Sequence, residues 1–398
     1  MIKEKSSKSQ LPTSDLKMAV VFDPLYKYGG AEKHLKYIVK TFPNSQLFVP
    51  YYDKEFVKKN FPDIEIHHSF MQYLPFKDEL KYLYLLLQPL AFKSLRFRGF
   101  DGVLSLSIIF AKFAKAPRGR KHINICMSPP KFLWQKNDRS IKKPDQMEGI
   151  NKMLFKFYRF FMNTFLEDIW KGWDRKAAQR LDHIIATSKV VKRRIKKCYG
   201  IKADIIYPPV EVDKMQPKKK IHRKENWFLY LGRIETYKGV KLAIRACVDA
   251  NVPLKIVGSG DDEQRMKGLV KKLNAKGLIK FLGFVSESQK RSLMQKCKAL
   301  IFPVRGEDFG IVPVEANAAG AVVIAYRSGG VVETISEENP STGVFFRKYN
   351  YKELSKILKK FDDTEFDCRN CINHAQEFTV SIFMYKLKNY IEDVIQSK

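Results

Sequence analysis

The stretch LKMAVVF (residues 16–22), the following Asp23-Pro24, a loop ending in Gly29-Gly30 and an amphipathic run over residues 31–42 spell strand, glycine loop and helix in succession. Short β-branched runs of the same kind recur at residues 46–50, 101–107, 121–127 and 182–187, separated by helical patterns. Parallel neighbours need a crossover, and a helix is the usual one. The alternation therefore predicts an α/β domain with a mostly parallel sheet and helices on both faces.

A proline- and lysine-rich passage, YPPVEVDKMQPKKKIHRKEN (residues 207–226), breaks the alternation and reads as an interdomain linker. Apolar runs then restart at residues 227–231, 254–257, 279–282, 299–303, 321–325 and 343–346, which predicts a second doubly wound domain. The closing segment, residues 380–396, carries Phe383, Leu387, Tyr390, Ile391 and Val394 at helical spacing and needs an apolar partner surface. The expected organisation is a basic tail at 1–15, an acceptor-side domain at 16–207, the linker at 208–226, a donor-binding domain at 227–378 and a terminal helix at 379–398. No repeat of 20 to 50 residues is present, which argues against a solenoid.

At 398 residues the chain exceeds what one core usually holds, in keeping with two domains. The longest apolar run, residues 83–92, is interrupted by Gln88 and Pro89 and is too short to span a bilayer. The first 14 residues are polar and lysine-rich without the apolar centre of a secretory signal, so a cytoplasmic protein is expected. The six cysteines are scattered, and Cys368-x-x-Cys371 has neither a second pair for zinc nor a thioredoxin-like strand before it. Reduced, structural cysteines follow.

Net charge is the outlier: 73 Lys and Arg against 42 Asp and Glu give +31, which demands an anionic partner such as phosphate, acidic lipid or nucleic acid. A helical pattern over residues 152–169 sets Lys152, Lys156, Arg159 and Asn163 against Leu154, Phe157, Phe161, Phe165 and Ile169, and a basic aromatic stretch covers residues 82–98. Both suit a peripheral position on an anionic membrane, although core packing accounts for the apolar side as well. No nucleic-acid-binding module shows its aromatic and basic signature.

Four places could carry chemistry. Gly29 and Gly30 let backbone N–H groups approach an anion at a helix start, but a plain tight turn has the same sequence, and the dinucleotide fingerprint is absent. Arg233 and Lys238 lie in LGRIETYKG (residues 231–239), the loop leaving the first strand of the second domain, where ligands of doubly wound sheets sit. A guanidinium fork and an ammonium suit a diphosphate, or they are two members of a solvated basic face. Gly258 in VGSGD (residues 257–261) either lines the same place or makes an αL turn.

The sharpest signal is PVRGEDFGIVPVEA (residues 303–316). A buried strand runs into Glu307-Asp308-Phe309-Gly310, and Pro313 takes a favoured position at a helix start. Glu307 then lies in a loop and Glu315 on the first turn of the helix. Carboxylates accept hydrogen bonds from paired sugar hydroxyls, and N–H groups of a helix start meet phosphate or ring oxygens. A capped helix with two solvated acids is the alternative.

Taken together, GGAEKHL from Gly29, ICMSPPKFLW from Ile125, TSKVVKRRIKKCYG from Thr187, IIYPPVEVD from Ile205, YLGRIETYKG from Tyr230 and GEDFGIVPVEANAAG from Gly306 resemble retaining glycosyltransferase family four. The similarity is greatest to O-antigen and exopolysaccharide mannosyltransferases and covers residues 16–346. It implies the GT-B fold, two Rossmann-like domains facing across a cleft, with the terminal helix returning to the N-terminal domain. It implies a hexosyltransferase that retains anomeric configuration and uses a nucleotide diphosphate sugar, GDP-mannose for preference, with a glycan or lipid-linked acceptor, no divalent metal and no other cofactor. By position Arg233 and Lys238 would bind the diphosphate, Glu307 the sugar hydroxyls, the amides of Phe309, Gly310 and Ile311 the sugar and phosphate, and Glu315 the ribose. Gly29 and Gly30 would face the diphosphate from the first domain. One departure stands out: the subgroup's CHTP is Cys126-Met127-Ser128-Pro129, so Met127 replaces the histidine that faces the sugar. An impaired GT-B scaffold that binds nucleotide sugar or membrane is therefore the competing expectation, and a basic nucleic-acid-binding protein the third.

Overall fold

The computed structural model describes residues 11–75, 80–135, 167–217 and 224–397. They divide into two compact units, one within Met1–Pro209 and Val380–Lys398, the other Val210–Thr379.

The first unit is built on seven strands: β1 (Met18–Phe22), β2 (Gln46–Val49), β3 (Ile66–His68), β4 (Gly102–Ser107), β5 (Lys121–Cys126), β6 (His183–Ala186) and β7 (Asp204–Ile205). Their order is β3-β2-β1-β4-β5-β6-β7, and every pairing is parallel. β1 is buried at all five positions, as a parallel strand covered on both faces must be. On one face Val20, Phe22, Leu104 and Ile123 pack with Leu35 and Ile38 of the Gly30–Thr41 helix and with Phe383, Leu387 and Ile391 of the Val380–Gln396 helix. The terminal helix thus returns to the first unit, as the resemblance implied, and its apolar stripe finds there the partner surface it needs. Burial of each such side chain stabilises by about 1.5–3 kcal/mol, which is what holds the helix in place. On the other face Ala19, Val21 and Val103 meet Phe92, Phe110 and Trp170.

Sequence periodicity missed β3 and β7. Both are edge strands, of three and two residues, and neither is fully buried, so no apolar run marks them.

The strand order reverses between β1 and β4, the place where doubly wound sheets admit ligands. Here Asp23, directly after β1, accepts backbone hydrogen bonds from Ile108 and Ile109 at 2.7 Å, Phe110 at 2.9 Å and Ala111 at 3.1 Å. The carboxylate knits the ends of the two central strands together. Deeper in the unit, Lys112 and Asp174 form a fully buried ion pair at 2.7 Å, and Asp174 also accepts from Trp134 Nε1 and Tyr199 Oη, each at 2.8 Å. Of the amphipathic pattern at 152–169, all but the last three residues lie outside the described residues. No helix among the described residues is long and apolar enough to cross a membrane.

The second unit carries β8 (Phe228–Leu231), β9 (Leu254–Val257), β10 (Ile279–Gly283), β11 (Leu300–Phe302), β12 (Val323–Tyr326) and β13 (Gly343–Phe346), ordered β10-β9-β8-β11-β12-β13 and again all parallel. Phe228, Tyr230, Ile244, Ile256, Ile301 and Leu354 centre its core. The reversal lies between β8 and β11. Val210, Val212 and Met215, in the passage expected to link the domains, are buried within this unit.

Candidate active site

The residues that leave β8 and β11 converge at that reversal. After β8 the chain passes Gly232, Arg233 and Glu235 into a short 3-10 turn, Thr236–Lys238, and then through Gly239 into the Val240–Ala250 helix. Gly239 is left-handed at φ 76°, and a Cβ there would stand 2.3 Å from the carbonyl oxygen of Pro303, which follows β11. Only glycine lets the two loops approach so closely. As a result Lys238 Nζ reaches Glu307 Oε2 at 2.8 Å, both side chains being about four-fifths buried.

Arg233 lies on the solvent side of this pair, bridged to Glu235 Oε1 at 2.9 Å and hydrogen-bonded to the Tyr237 hydroxyl. The Tyr237 ring has the guanidinium of Arg233 at 5.7 Å and the ammonium of Lys238 at 5.2 Å from its centroid, so it spaces the two cations. Beneath them the buried Tyr230 hydroxyl lies 3.1 Å from the Arg233 carbonyl and 3.4 Å from that of Lys238. Burial pushes the Tyr230 phenol well above the usual range, so it remains a neutral donor to this loop. Thr236 donates to Asp262 at 2.5 Å and accepts from Arg265 at 2.8 Å, which braces the turn from the helix after β9.

Gly258 acts through backbone proximity. Its φ is 123°, and a Cβ would fall 2.1 Å from the carbonyl oxygen of Gly232. It seats the β9 loop against the Arg233 loop, and Ile234 N–H donates to Ser259 O at 2.9 Å across the junction.

Glu307 is fixed by its main chain. It bridges to Gly329 in parallel register, its carbonyl accepts from Gly330 N–H at 2.7 Å, and Gly306 N–H donates to Ser328 Oγ at 3.3 Å. Phe309 is buried with its ring 5.5 Å from Phe378 in an edge-on contact. Gly310, left-handed at φ 108°, then opens the Ile311–Ala318 helix with no side-chain cap. The first amides of that helix therefore lie beside the Glu307 loop with the positive end of the dipole behind them.

Glu315 is placed differently from the expectation. The helix starts at Ile311, two residues before Pro313, so Glu315 is its fifth residue and lies past the first turn. The carboxylate is buried, and Oε1 lies 3.1 Å from Lys290 Nζ. Lys290, on the Glu287–Lys296 helix, also meets Glu287 Oε2 at 2.7 Å. Burial pulls the Lys290 amine down, but the two carboxylates outweigh it and hold the amine above the ordinary lysine range.

The remaining expected residues lie in the first unit. Gly29 precedes the Gly30–Thr41 helix in extended conformation, without a side-chain cap. Met127 follows β5, with its N–H on Ser107 O at 3.0 Å and its carbonyl accepting from Thr187 Oγ1 at 3.3 Å. Ser128 is buried and accepts from Arg194 at 3.3 Å.

Sequence reasoning overlooked Lys290, the Thr236–Asp262 brace and the Ser328-Gly329-Gly330 support. The last was readable, because paired glycines directly after a strand were the feature that marked Gly29 and Gly30. Lys290 carried no signal among 73 basic residues. Among the described residues no group of three or more His, Cys, Asp or Glu side chains is arranged to hold a metal ion.

Two parallel-sheet Rossmann-like units have the architecture of GT-B glycosyltransferase structures. HepE of Anabaena, solved in complex with UDP, shares the architecture with a TM-score of 0.67 at 18% identity, over 95% of this chain and 100% of that one. Sucrose-phosphate synthase of Thermosynechococcus elongatus has a TM-score of 0.69 at 15% identity, over 96% and 100%. Residues 211–378, nearly the whole second unit, match the family described as glycosyl transferases group 1.

Relatives in sequence include an uncharacterized glycosyltransferase of Methanocaldococcus jannaschii, 32% identical over 193 residues, which are 48% of this chain and 52% of the relative. The alpha-1,3/1,6-mannosyltransferase ALG2 of Homo sapiens is 31% identical over 200 residues, 44% and 47% of the two chains. The O-antigen chain mannosyltransferase RfbU of Salmonella typhimurium is 28% identical over 172 residues, 42% and 48%. The chain thus spans about half the length of these relatives.

Proposed function

We propose that this protein is a retaining hexosyltransferase that moves a sugar, mannose from GDP-mannose for preference, from a nucleotide diphosphate donor to a hydroxyl of a glycan or lipid-linked acceptor. The observation that carries the reading is the meeting of Lys238, Glu307 and an uncapped helix start at the reversal of the second sheet. The mannosyltransferases among the relatives support the choice of sugar.

In the reaction the bond between the anomeric carbon and the phosphate oxygen breaks, and its electron pair stays on the diphosphate. Arg233, Lys238 and the amides of Gly310 and Ile311 meet that growing charge without a divalent metal, a form of stabilisation worth about 2.7–4 kcal/mol per well-aimed donor. Glu307 accepts hydrogen bonds from the sugar hydroxyls and holds the anomeric carbon in place. The acceptor oxygen bonds to that carbon on the face the diphosphate leaves, and its proton passes to the departing phosphate. Retention follows from attack on that face.

A panel of nucleotide sugars, scored first by thermal stabilisation and then by transfer or hydrolysis, tests the reading. A ligand at 100 times its dissociation constant adds about 2.7 kcal/mol to stability, well within reach of a melting curve. GDP-mannose is expected to stabilise and to turn over. Stabilisation without turnover of any donor would make the chain a binding scaffold, and no stabilisation by any nucleotide sugar would end the proposal. The net charge of +31 further supports an anionic lipid surface as a partner, tested by salt-reversible binding to anionic but not neutral vesicles.

A further inference from the structure

Three helices of the first unit, Lys81–Ser94, Glu167–Gln179 and Lys189–Tyr199, turn to solvent a face that the donor reading does not use. We infer that this face docks the protein on an anionic bilayer, with Leu90, Ile169 and Trp173 entering between the headgroups and the surrounding lysines and arginines meeting lipid phosphates. The inference rests on the lipid partner proposed above and gives that partner a place on the fold.

Two contacts join the helices. Lys93 Nζ lies 5.9 Å from the centroid of the Trp173 ring, and Arg175 Nε donates to the carbonyl of Cys198 at 3.1 Å. Their inward sides are already occupied: Phe92, Trp170 and Ala177 pack in one core cluster, Val191, Ile195 and Cys198 in another. The outward sides should then be polar, as on any surface helix of a globular unit. Instead Leu90 is 57% exposed, Trp173 49% and Ile169 48%. Ile169 and Trp173 are four residues apart on one helix, and Leu90 lies one turn before Lys93, whose ammonium stands over the Trp173 ring. The three apolar side chains therefore gather on one side of the unit.

Their surroundings are cationic. The Lys189–Tyr199 helix has six basic residues and no acid, and Lys192, Arg193, Lys196 and Lys197 are exposed on it. Lys176 and Arg180, both exposed, continue the stripe of Ile169 and Trp173. Acids offset little of this charge. Asp174 is buried on Lys112 and Glu167 is paired with Lys171, so Asp168 is the one exposed acid of the Glu167–Gln179 helix.

Charge and shape together select the occupant. A second copy of this chain would bring the same cations to the contact and be repelled. A nucleic acid would satisfy the cations, but Leu90 and Ile169 have no ring on which a base can stack. An anionic bilayer answers both halves of the face, phosphates to the cations and the acyl boundary to the apolar side chains. Tryptophan, an apolar ring with one N–H, suits the depth between them.

Sedimentation of the full chain with vesicles of phosphatidylcholine, alone or mixed with phosphatidylglycerol, tests the assignment. The wild type is expected to bind the mixed vesicles at least about tenfold more tightly than the neutral ones, and salt should weaken that binding. Leu90→Ser combined with Trp173→Ser should weaken it about tenfold, as should Lys192→Gln combined with Lys196→Gln, and the charge variant should also flatten the salt dependence. Tryptophan emission should shift to the blue on adding mixed vesicles and fail to do so in Trp173→Phe, since Trp173 is the most exposed of the four tryptophans. Phe284→Ser removes an exposed ring from the second unit and should leave vesicle binding unchanged. All the substituted side chains are exposed, so the variants should melt with the wild type. If the wild type binds anionic vesicles and both paired variants bind them equally well, the face is wrong while the lipid partner stands. If the wild type binds neither vesicle, the lipid partner falls and the face with it. Tighter binding to single-stranded RNA than to the mixed vesicles, lost in the same paired variants, would assign the face to nucleic acid and overturn the inference.

Discussion

Lys238 Nζ and Glu307 Oε2 lie 2.8 Å apart, the ammonium leaving β8 and the carboxylate leaving β11, so the reversal of the second sheet carries a preformed ion pair. Donor binding has to redirect both partners, the lysine toward phosphate and the glutamate toward sugar hydroxyls. Lys238→Ala and Arg233→Ala should each lower kcat/KM about 100-fold or more, since both act on charge that grows in the transition state. Glu307→Gln should lower turnover as well. Because the pair is in part solvated and Arg233 is exposed, melting temperatures should move little. Steady-state kinetics with a circular-dichroism melt decides, and unchanged kinetics in all three variants would remove the proposed site.

The Lys112–Asp174 pair behaves differently because both groups are fully buried and Asp174 also serves Trp134 and Tyr199. Asp174→Ala strands an ammonium in the interior and should cost about 3–5 kcal/mol of stability. Urea denaturation followed by tryptophan fluorescence measures it. A loss under about 1 kcal/mol would show that water reaches the lysine.

Two histidines set the acid limit of the first unit. His34 is buried with its ring 4.8 Å from Phe383 and with neither ring nitrogen hydrogen-bonded, and burial brings its pKa down to about 3. His122 is also about 3, again chiefly through burial, with Nε2 on Ser105 Oγ at 2.8 Å. In the unfolded chain both take up a proton near pH 6.5. The unfolded state therefore binds more protons below that pH, and stability falls as the pH drops from 6.5 toward 3. At pH 5 the loss is on the order of 2 kcal/mol for each histidine. His34→Phe should flatten this part of the pH–stability curve, and an unchanged slope would assign the acid sensitivity elsewhere.

Met127 cannot donate a hydrogen bond or take up a proton, so what the subgroup's histidine supplies is missing. A hydrogen bond to a sugar hydroxyl is worth about 0.5–1.5 kcal/mol, a rate factor of about ten. Met127→His should preserve or raise transfer. Ser128→Ala should lower it, here by unseating Arg194. Transfer by Met127→His alone, with none by the natural chain, would mark the latter as an inactive binder.

Much of the fold was legible because parallel strands covered on both faces are nearly unbroken apolar runs. All six strands of the second unit and five of the seven in the first declared themselves in that way. β3 and β7 did not, being short edges with half-exposed residues. Arg233, Lys238 and Glu307 were legible from their positions after strands. Their joining was not, since it depends on Gly239 approaching Pro303, a contact 64 positions apart that no local pattern announces. Glu315 was found but its helix start was misjudged, because proline is favoured at the first helical position and here occupies the third. Asp23 was legible only as a residue following the first strand, because its four amide partners lie 85 to 88 positions away.

That aspartate has a consequence for stoichiometry. Four backbone amides converging on one pair of oxygens is the arrangement by which proteins of this architecture grip a phosphate, and in the first unit the chain supplies the anion from its own side chain. Asp23 thus occupies from within the chain four amides that would otherwise be open to an outside anion. A protein assembled from two sheets of one design should accordingly titrate with a single equivalent of nucleotide.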